Sequence, residues 1–348
     1  MTHDSSKGSN VGVVVQALQA KGGYSFHMLR KDERDEVTKQ GKLGQLIHFF
    51  IIHPYHLATS MIVLQDNIFL PMAYVTFPKK VKVIQLWHGT GTIKRFGQSA
   101  NEGELLELEK AADETITHLI VNGPATKEIY KEAFGVSEEK IYEIGLPRTD
   151  QLFDRNACQE KKKRFYEKYP ELIGKCIVLY APTFRDHEVL NPKIPFDVKR
   201  VVESLPKDMC LAFRLHPFVA RSFQGIQLPD RIKNRVYDFS MEKDTNQLLQ
   251  VADVLITDYS SIIFEYCILK KPMLFYAYDY QDFKKHQRGF YVDYETFVPG
   301  DVVYTENELI RKLNEEHYEL EQIDEFVKKQ YRYLDGKSTK RLLEVIET

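Results

Sequence analysis

Short apolar runs alternate with amphipathic stretches along most of the chain. The runs that end at Trp87 and at Thr257 are rich in β-branched residues, which is typical of buried strands. Residues 123–135 have helical spacing instead, with Pro124 near the start and Gly135 at the end. Strands that alternate with helices predict parallel sheets joined by right-handed crossovers.

The same pattern bounds the individual elements. Strands are predicted within residues 25–32, 58–66, 81–87, 117–123, 140–145, 175–182, 209–217, 235–239, 252–258 and 272–279. Helices are predicted within residues 42–52, 103–115, 123–135, 156–170, 244–252, 260–271, 306–316 and 319–348. The valine-rich residues 11–18 fit either a strand or the start of a helix.

The alternation falls into two blocks, separated by a highly charged stretch around residue 165. A chain of 348 residues is long enough for two domains of ordinary size. We therefore predict an α/β protein of two Rossmann-like, doubly wound domains, residues 1–160 and residues 161–348, which face a cleft.

Composition narrows the functional classes. Hydrophobic residues make up 43% of the chain and the formal net charge is -2, which indicates a globular protein and gives no sign of a nucleic-acid partner. The four cysteines fit neither a zinc motif nor a disulfide framework, which favours a reduced, cytoplasmic protein. The first residues lack a signal-peptide pattern and the apolar runs are too short to span a bilayer, so membrane contact is expected to be peripheral.

A histidine follows the only tryptophan at the end of the strand predicted over residues 81–87. In a loop at a strand end, His88 can titrate near neutral pH and act as a general base, while Gly89 and Gly91 permit close approach of a ligand. A hydrogen-bonded structural histidine is the alternative. Lys94 and Arg95 either clamp an anion or are ordinary surface charges.

A strand, a tight turn and a helix follow each other directly at residues 252–271. Ser260 or Ser261 is a natural helix N-cap beside Asp258, and a helix N-terminus at the carboxyl end of a parallel strand favours phosphate. Glu265 lies one turn further on, where it either accepts a ribose hydroxyl or is solvated. Simple helix capping is the alternative for the serines.

Two further strand ends carry polar side chains. Arg214 and His216 alternate at the end of the strand within residues 209–217, and a guanidinium suits phosphate oxygens. Thr183 and Arg185 follow the strand within residues 175–182 and are candidates for nucleotide contact. A surface arginine beside a core histidine is the alternative for Arg214 and His216.

Other polar clusters favour structural roles. Arg148 and Asp150 follow a strand near the domain join and are interpreted as a structural pair. The spacing of His48, His53 and His56 does not match the face of a metal site. No acidic pair of the Asp-X-Asp type is present at a candidate site, so we predict that neither a metal nor another cofactor is required.

In order, QLWHGT with IKRFG, GLPRTD, YAPTFRD, RLHP and ITDYSSIIFEY resemble the motifs of the CDP-glycerol glycerophosphotransferase family of teichoic acid synthesis. The resemblance extends from about residue 55 to about residue 290, and SSKGSN near the start resembles that family's N-terminal loop more loosely. It implies a GT-B-like fold and transfer of glycerol phosphate from CDP-glycerol, with release of CMP. It also implies a polyprenyl-diphosphate-linked glycan acceptor at the cytoplasmic face of the cell membrane.

The resemblance assigns roles to the candidate residues. His88 becomes the general base, and His216 joins it as a catalytic group that holds the donor phosphates. The other residues that it places in substrate binding are Arg214, Thr183, Arg185, Asp258, Ser260, Ser261, Glu265, Lys94 and Arg95. The remaining hypotheses are a transferase for ribitol phosphate or another polyol phosphate, a GT-B nucleotide-sugar glycosyltransferase, and a non-enzymatic nucleotide-binding scaffold.

Overall fold

The strands form two separate parallel sheets. The computed structural model describes residues 1–2, 6–29, 44, 46–185, 193–220, 227–242, 244–286, 289–315 and 317–348. The strands within these residues are β1 (Ile62–Gln65), β2 (Lys82–Gln85), β3 (His118–Val121), β4 (Ile141–Glu143), β5 (Cys176–Tyr180), β6 (Met209–Phe213), β7 (Val236–Asp238), β8 (Val254–Thr257), β9 (Met273–Tyr276) and β10 (Asp301–Val303).

Helices connect nearly all of these strands. The α-helices among the described residues are α1 (Asn10–Lys21), α2 (His53–Thr59), α3 (Gly103–Asp113), α4 (Pro124–Phe134), α5 (Asp150–Phe153), α6 (Arg155–Lys168), α7 (Val198–Ser204), α8 (Pro217–Ala220), α9 (Asp230–Lys233), α10 (Thr245–Val251), α11 (Ile262–Tyr266), α12 (Tyr280–His286), α13 (Tyr294–Phe297), α14 (Glu306–Leu313), α15 (Glu321–Gln330) and α16 (Ser338–Glu347). A π-helical turn, His48–Ile52, leads directly into α2.

The first unit contains a four-stranded sheet in the order β1-β2-β3-β4. Successive residues of a strand point to opposite faces, and β2 follows this rule. Val83 packs in the apolar cluster that includes Leu57 of α2, whereas Ile84 packs in the cluster that α1 and α16 cover. The sheet is therefore buried on both faces, as parallel sheets require.

The second unit contains a six-stranded sheet in the order β10-β9-β8-β5-β6-β7. Its strands are apolar throughout, and all four residues of β8 and of β9 are buried. Neighbouring strands pair in parallel, so the loops after β8, β5 and β6 leave the sheet at one edge. The predicted α/β class with two Rossmann-like parallel sheets is confirmed.

The division of the chain differs from the predicted one in three places. The short segment Thr92–Lys94 groups with the second unit. The main part of that unit begins at Asp154 rather than at residue 161, because the charged stretch is its helix α6. Residues 329–348 return to the first unit. Leu342 and Ile346 of α16 pack against α1, and the Asp150 carboxylate accepts hydrogen bonds from the amides of Ser338 and Thr339 at 2.9 and 2.7 Å.

Local differences have simple causes. Residues 11–18 are helical, because Ser9 caps α1 and apolar residues recur at helical spacing. The strand predicted over residues 25–32 is wrong for 25–29, which are irregular, and its remainder lies outside the described residues. The three-residue edge strand β10 carries no apolar run and was not predicted. No described helix is both long and apolar enough to cross a bilayer.

Candidate active site

A tight turn after β2 buries Trp87 and presents His88 at the surface. Trp87 has a φ of 53°, in the left-handed region that residues other than glycine seldom adopt. Its indole stacks on Phe96 with ring centroids 4.7 Å apart and meets Phe134 edge-on at 5.3 Å. Backbone strain of this kind persists only where the surroundings impose it, and it is common at functional sites.

One hydrogen bond determines which nitrogen of the His88 ring carries the proton. Nδ1 lies 3.0 Å from the carbonyl oxygen of Asp66. A carbonyl oxygen only accepts, so Nδ1 is the protonated nitrogen of the neutral ring and Nε2 carries the lone pair. The side chain is exposed. A neutral imidazole oriented in this way is suited to accept a proton at Nε2.

The carbonyl oxygens of the His88 loop are held from several elements. Four consecutive ones accept side-chain hydrogen bonds, Trp87 from Asn10, His88 from Arg148, Gly89 from Tyr130 and Thr90 from Asn122. Arg148 and Asp150 are therefore not the simple structural pair of the prediction, since Arg148 binds this loop and Asp150 caps α16. Sequence reasoning assigned no role to Asn10, Tyr130 or Asn122. Asn10 ends the SSKGSN stretch that resembles the family's N-terminal loop, and no local motif marks the other two.

Gly89 is packed against its own loop, and the ligand approach predicted for Gly89 and Gly91 stays a prediction. A Cβ atom on Gly89 would lie 3.2 Å from the carbonyl oxygen of Gly91 and 3.5 Å from the Trp87 indole. The missing side chain of Gly89 thus relieves a tight approach to the Gly91 carbonyl oxygen, whereas the Trp87 indole lies at ordinary contact distance. Lys94 is half-buried and belongs to the second unit, within which it forms a main-chain bridge with Phe290. Arg95 is exposed and belongs to the first unit.

The turn after β8 presents two serine side chains. Ser260 Oγ accepts a long hydrogen bond of 3.4 Å from the Ile262 amide at the start of α11. Ser261 occupies the N-cap position, but its side chain makes no capping hydrogen bond. Both residues are half-buried. Glu265 is only 5% exposed, so the solvated alternative for it is wrong.

Arg185 and Asp258 lie in a buried ionic network beneath that turn. The Arg185 guanidinium forms a bidentate pair with Asp279 at 2.9 and 3.0 Å and lies 2.9 Å from Asp258. The other Asp258 oxygen accepts hydrogen bonds from the amides of Thr183 and Tyr259. Arg185 is 3% exposed and Asp258 is 1% exposed. The polar atoms of both side chains thus hold the two loops together, and the contact with substrate that the sequence predicts for Arg185 and Asp258 stays a prediction.

Thr183 differs from these neighbours. Its main chain is engaged on both sides, since its amide donates to Asp258 and its carbonyl oxygen accepts from Arg185 at 2.6 Å. Its hydroxyl is buried and has no hydrogen-bond partner among the described residues. Thr183 therefore stays a candidate for ligand contact.

The strand β6 ends at Phe213, so Arg214 and His216 lie in the loop beyond it rather than on the strand. The Arg214 guanidinium donates to the Ser240 carbonyl oxygen and, at 3.1 Å, to Thr245 Oγ1. Burial lowers the pKa of Arg214. These bonds use some of the guanidinium N–H donors that are predicted to bind phosphate. His216 is exposed, and its ring lies 5.1 Å from that of Phe184.

The sheet order brings the candidate loops of the second unit together. β8, β5 and β6 are neighbours, so the loops with Ser260, Thr183 and His216 leave adjacent strands at the same edge. Sequence reasoning placed each residue at a strand end without knowing that those strands adjoin.

Four histidines of the first unit, His27, His48, His53 and His56, form a group of ring contacts. The rings of His27 and His56 stack with centroids 3.5 Å apart, and His53 meets His27 and His48 edge-on. Among the residues that the structure describes, no group of three or more histidine, cysteine or acidic side chains has the arrangement of a metal site.

Known proteins resemble this chain along most of its length. The family model described as CDP-glycerol:poly(glycerophosphate) glycerophosphotransferase matches residues 8–348. The teichoic acid poly(ribitol-phosphate) polymerase of Bacillus spizizenii is 39% identical over 346 residues, which cover 94% of this chain and 54% of that protein. The teichoic acid glycerol-phosphate primase of Bacillus subtilis is 31% identical over 299 residues, which cover 84% and 75%.

The chain spans about half the length of several curated relatives that it matches. Among solved structures, the wall teichoic acid polymerase TagF, as a histidine variant, superposes with a TM-score of 0.72 at 26% identity, over 82% of this chain and 72% of that one. The same polymerase soaked with CDPG gives a TM-score of 0.70 at 27% identity, with the same shares covered. Because the family model matches nearly the whole chain, this protein belongs to the CDP-glycerol:poly(glycerophosphate) glycerophosphotransferase family.

Proposed function

We propose that this protein transfers a polyol phosphate from a CDP-polyol to a hydroxyl group of a polyprenyl-diphosphate-linked wall-polymer acceptor and releases CMP. The observation that carries the proposal is the orientation of His88. Its Nδ1–H donates to Asp66, so the lone pair of the neutral ring lies on Nε2 of an exposed side chain.

The proposed reaction is a displacement at phosphorus in which His88 accepts the proton. The acceptor oxygen attacks the phosphorus that bears the polyol, a new P–O bond forms, and the bond from that phosphorus to the bridging oxygen of CMP breaks. His88 Nε2 takes the hydroxyl proton, and the bond electrons leave with CMP. Positioning and charge stabilisation supply most of the rate in such phosphoryl transfers.

We assign donor binding to the second unit. His216, Ser260, Ser261 and Thr183 lie in loops at adjacent strand ends and present polar groups suited to a diphosphate or a nucleotide. Substrate binding stays a prediction for the remaining candidates, which are Arg214, Lys94, Arg95 and Glu265. Arg185 and Asp258 support the loops from below.

The donor tail has two candidates. The motifs favour CDP-glycerol, and the family description together with the TagF structure soaked with CDPG supports it. The 39% identity to a ribitol-phosphate polymerase favours CDP-ribitol. Side-by-side measurement of CMP release from the two donors, with a lipid-linked or soluble acceptor analogue, separates them.

The test of the base is a matched pair of variants. We expect His88→Ala to lower the rate of CMP release about 10²- to 10⁴-fold, the usual contribution of a general base. His317→Ala, at an exposed histidine outside the candidate loops, should retain the parent rate. Full turnover by His88→Ala would refute the assignment of the base.

Binding assays separate the other function classes. A nucleotide-sugar glycosyltransferase should be stabilised against heat by UDP- or GDP-sugars more than by CDP compounds, because a ligand of the native state raises Tm. A scaffold should bind CDP compounds without releasing CMP. The proposed transferase should do both, binding the CDP donor and releasing CMP once acceptor is added.

Peripheral contact with the cytoplasmic face of the membrane is part of this proposal. A polyprenyl-linked acceptor is held at a bilayer, and the first unit exposes apolar side chains on the helical segment through α2. Those more than 40% exposed between residues 46 and 61 are Leu46, Ile47, Phe50, Ile51, Tyr55 and Met61. Amphipathic helices of this kind bind the interface of a bilayer.

A further inference from the structure

Two buried asparagines join the His88 loop to the loop after β4. The Asn10 amide nitrogen donates to the Trp87 carbonyl oxygen at 2.9 Å, while its amide oxygen accepts from the Arg148 amide at 3.0 Å. Asn122 repeats the arrangement, because its nitrogen donates to the Thr90 carbonyl oxygen and its oxygen accepts from the Leu146 amide at 3.1 Å. Each asparagine is 1% exposed.

The chemistry of the carboxamide explains why asparagine occupies both positions. Each side chain meets a carbonyl oxygen on one side and an N–H group on the other, which requires a donor and an acceptor on one planar group. A carboxylate would place negative charge against the carbonyl oxygens. An apolar side chain would leave buried polar groups of both loops without partners.

The two amides hold the loop at the residues on either side of His88 and Gly89. Trp87 has a left-handed backbone conformation, and its carbonyl oxygen accepts the hydrogen bond from Asn10. The next residue, His88, is held by its hydrogen bond to Asp66. A rotation of this backbone would move His88 Nδ1 away from the Asp66 carbonyl oxygen. The hydrogen bond that favours the Nδ1-protonated tautomer would then be lost.

We infer that Asn10 and Asn122 are positioning residues, which keep His88 in the Nδ1-protonated tautomer and aim Nε2. The inference rests on the proposed function for its kinetic consequence but not for its structural one. A misplacement of about 1 Å at a reacting group can lower a rate about 10²-fold, so loss of either amide should act on kcat.

The experiment compares Asn10→Ala, Asn122→Ala and the milder Asn10→Ser, with Asn101→Ala as control. Asn101 lies in the same unit and donates to Glu109, away from the loop. Protein labelled with ¹⁵N at histidine reports the tautomer by NMR, and the His88 signal is the one lost in His88→Ala. We expect one tautomer in the parent and in Asn101→Ala, and a mixture or a shifted signal in the two alanine variants.

Kinetics add a second readout. With whichever CDP-polyol the parent turns over, Asn10→Ala should lower kcat about 10- to 100-fold and change the donor KM less than about 3-fold. In the His88→Ala background it should cause no further loss, since it acts through His88. Asn10→Ser retains one hydrogen-bond donor, so its kcat should lie between those of the parent and Asn10→Ala. If Asn10→Ala does not fold, the comparison of Asn10→Ser with the parent decides the test.

Three results distinguish the possibilities. An unchanged tautomer and an unchanged kcat in Asn10→Ala overturn the inference. An equal loss of activity in the parent and in the His88→Ala background shows a general structural role and overturns it as well. Absence of CMP release by the parent with both donors refutes the proposed function, while the NMR signal still decides the positioning role.

Discussion

Asp113 is a carboxyl group whose protonation is coupled to folding. It is 2% exposed, accepts a hydrogen bond from Gln98 at 3.0 Å, and lies one helical turn from the buried Glu109. Burial raises the pKa of Asp113 from its usual 3.8 to about 8. The folded protein therefore retains a proton at neutral pH that the unfolded chain releases.

This pKa predicts a pH-dependent stability. The pKa of Asp113 is higher in the folded protein than in the unfolded chain, so protonation of Asp113 stabilises the fold. This contribution to the free energy of unfolding is fully present below about pH 4 and is lost as pH rises towards 8, with a slope of at most about 1.4 kcal/mol per pH unit. Asp113→Asn removes the ionisation and keeps the shape. Urea unfolding of both proteins at pH 5, 6 and 7.5 should give a stability difference that moves in favour of the variant as pH rises, and a constant difference would contradict the raised pKa.

Arg185 provides a second test at the scale of one residue. Removing one partner of a buried ion pair leaves an uncompensated charge and costs about 3–5 kcal/mol. Arg185→Met should therefore lower the free energy of unfolding by that order, whereas Arg231→Met, in an exposed pair with Glu203, should change it by less than about 1 kcal/mol. Unchanged stability combined with weaker CDP binding would favour the nucleotide-contact interpretation.

The Arg185 network also depends on aromatic side chains. The guanidinium lies 5.4 Å from the ring centroid of Tyr259 and 5.1 Å from that of Phe283. Burial raises the pKa of Tyr259, which keeps its hydroxyl group protonated and able to donate to Asp279. The strand-end loops that carry Thr183 and Ser260 are thus held by a buried network of ionic and aromatic contacts.

At the scale of elements, the last helix completes the first unit. Asp150 accepts from two amides at the start of α16, and Lys82 donates to the carbonyl oxygens of Val345 and Ile346 at its end. Amides at the start of α16 and carbonyl oxygens at its end thereby gain hydrogen-bond partners of the charge that the helix dipole favours. Lys82 is consequently engaged within the fold.

The cap makes a measurable prediction. Asp150→Ala should lower the free energy of unfolding by about 1–2 kcal/mol, because two helix amides lose their acceptor. It should also increase hydrogen exchange in α16 before that in α3. Asp154→Ala is the matched control, since it removes a two-amide cap from α6 and should act on that helix instead. Equal exchange in α16 of Asp150→Ala and the parent would show that the cap does not hold this helix.

At the scale of the molecule, the exposed apolar side chains near α2 make a prediction about membrane contact. Phe50 is 66% exposed and Ile51 is 62% exposed. A double change to glutamate should weaken sedimentation with anionic vesicles about 10-fold or more, because apolar contact with the bilayer is replaced by charge repulsion. Met241→Glu, at an equally exposed apolar residue of the second unit, should leave vesicle binding unchanged. Equal binding by all three proteins would place the contact elsewhere.

The sequence alone determined the parallel α/β class, most strands and helices, and the loops where chemistry is expected. Local periodicity and capping residues are enough for this, because they act within a few residues of each other. His88, His216 and the two serines are candidates for this reason, since each lies at or shortly after the end of an apolar run.

Only the tertiary structure decided which polar groups are engaged with one another. Arg185 meets Asp279 across 94 positions of sequence, Asn10 meets Trp87 across 77, and α16 returns to the first unit from the far end of the chain. Such pairings depend on strand order and on how loops at one sheet edge pack, and the pattern within a short window contains neither. The protonated nitrogen of His88 was decided for the same reason, since its partner is a carbonyl oxygen 22 residues earlier.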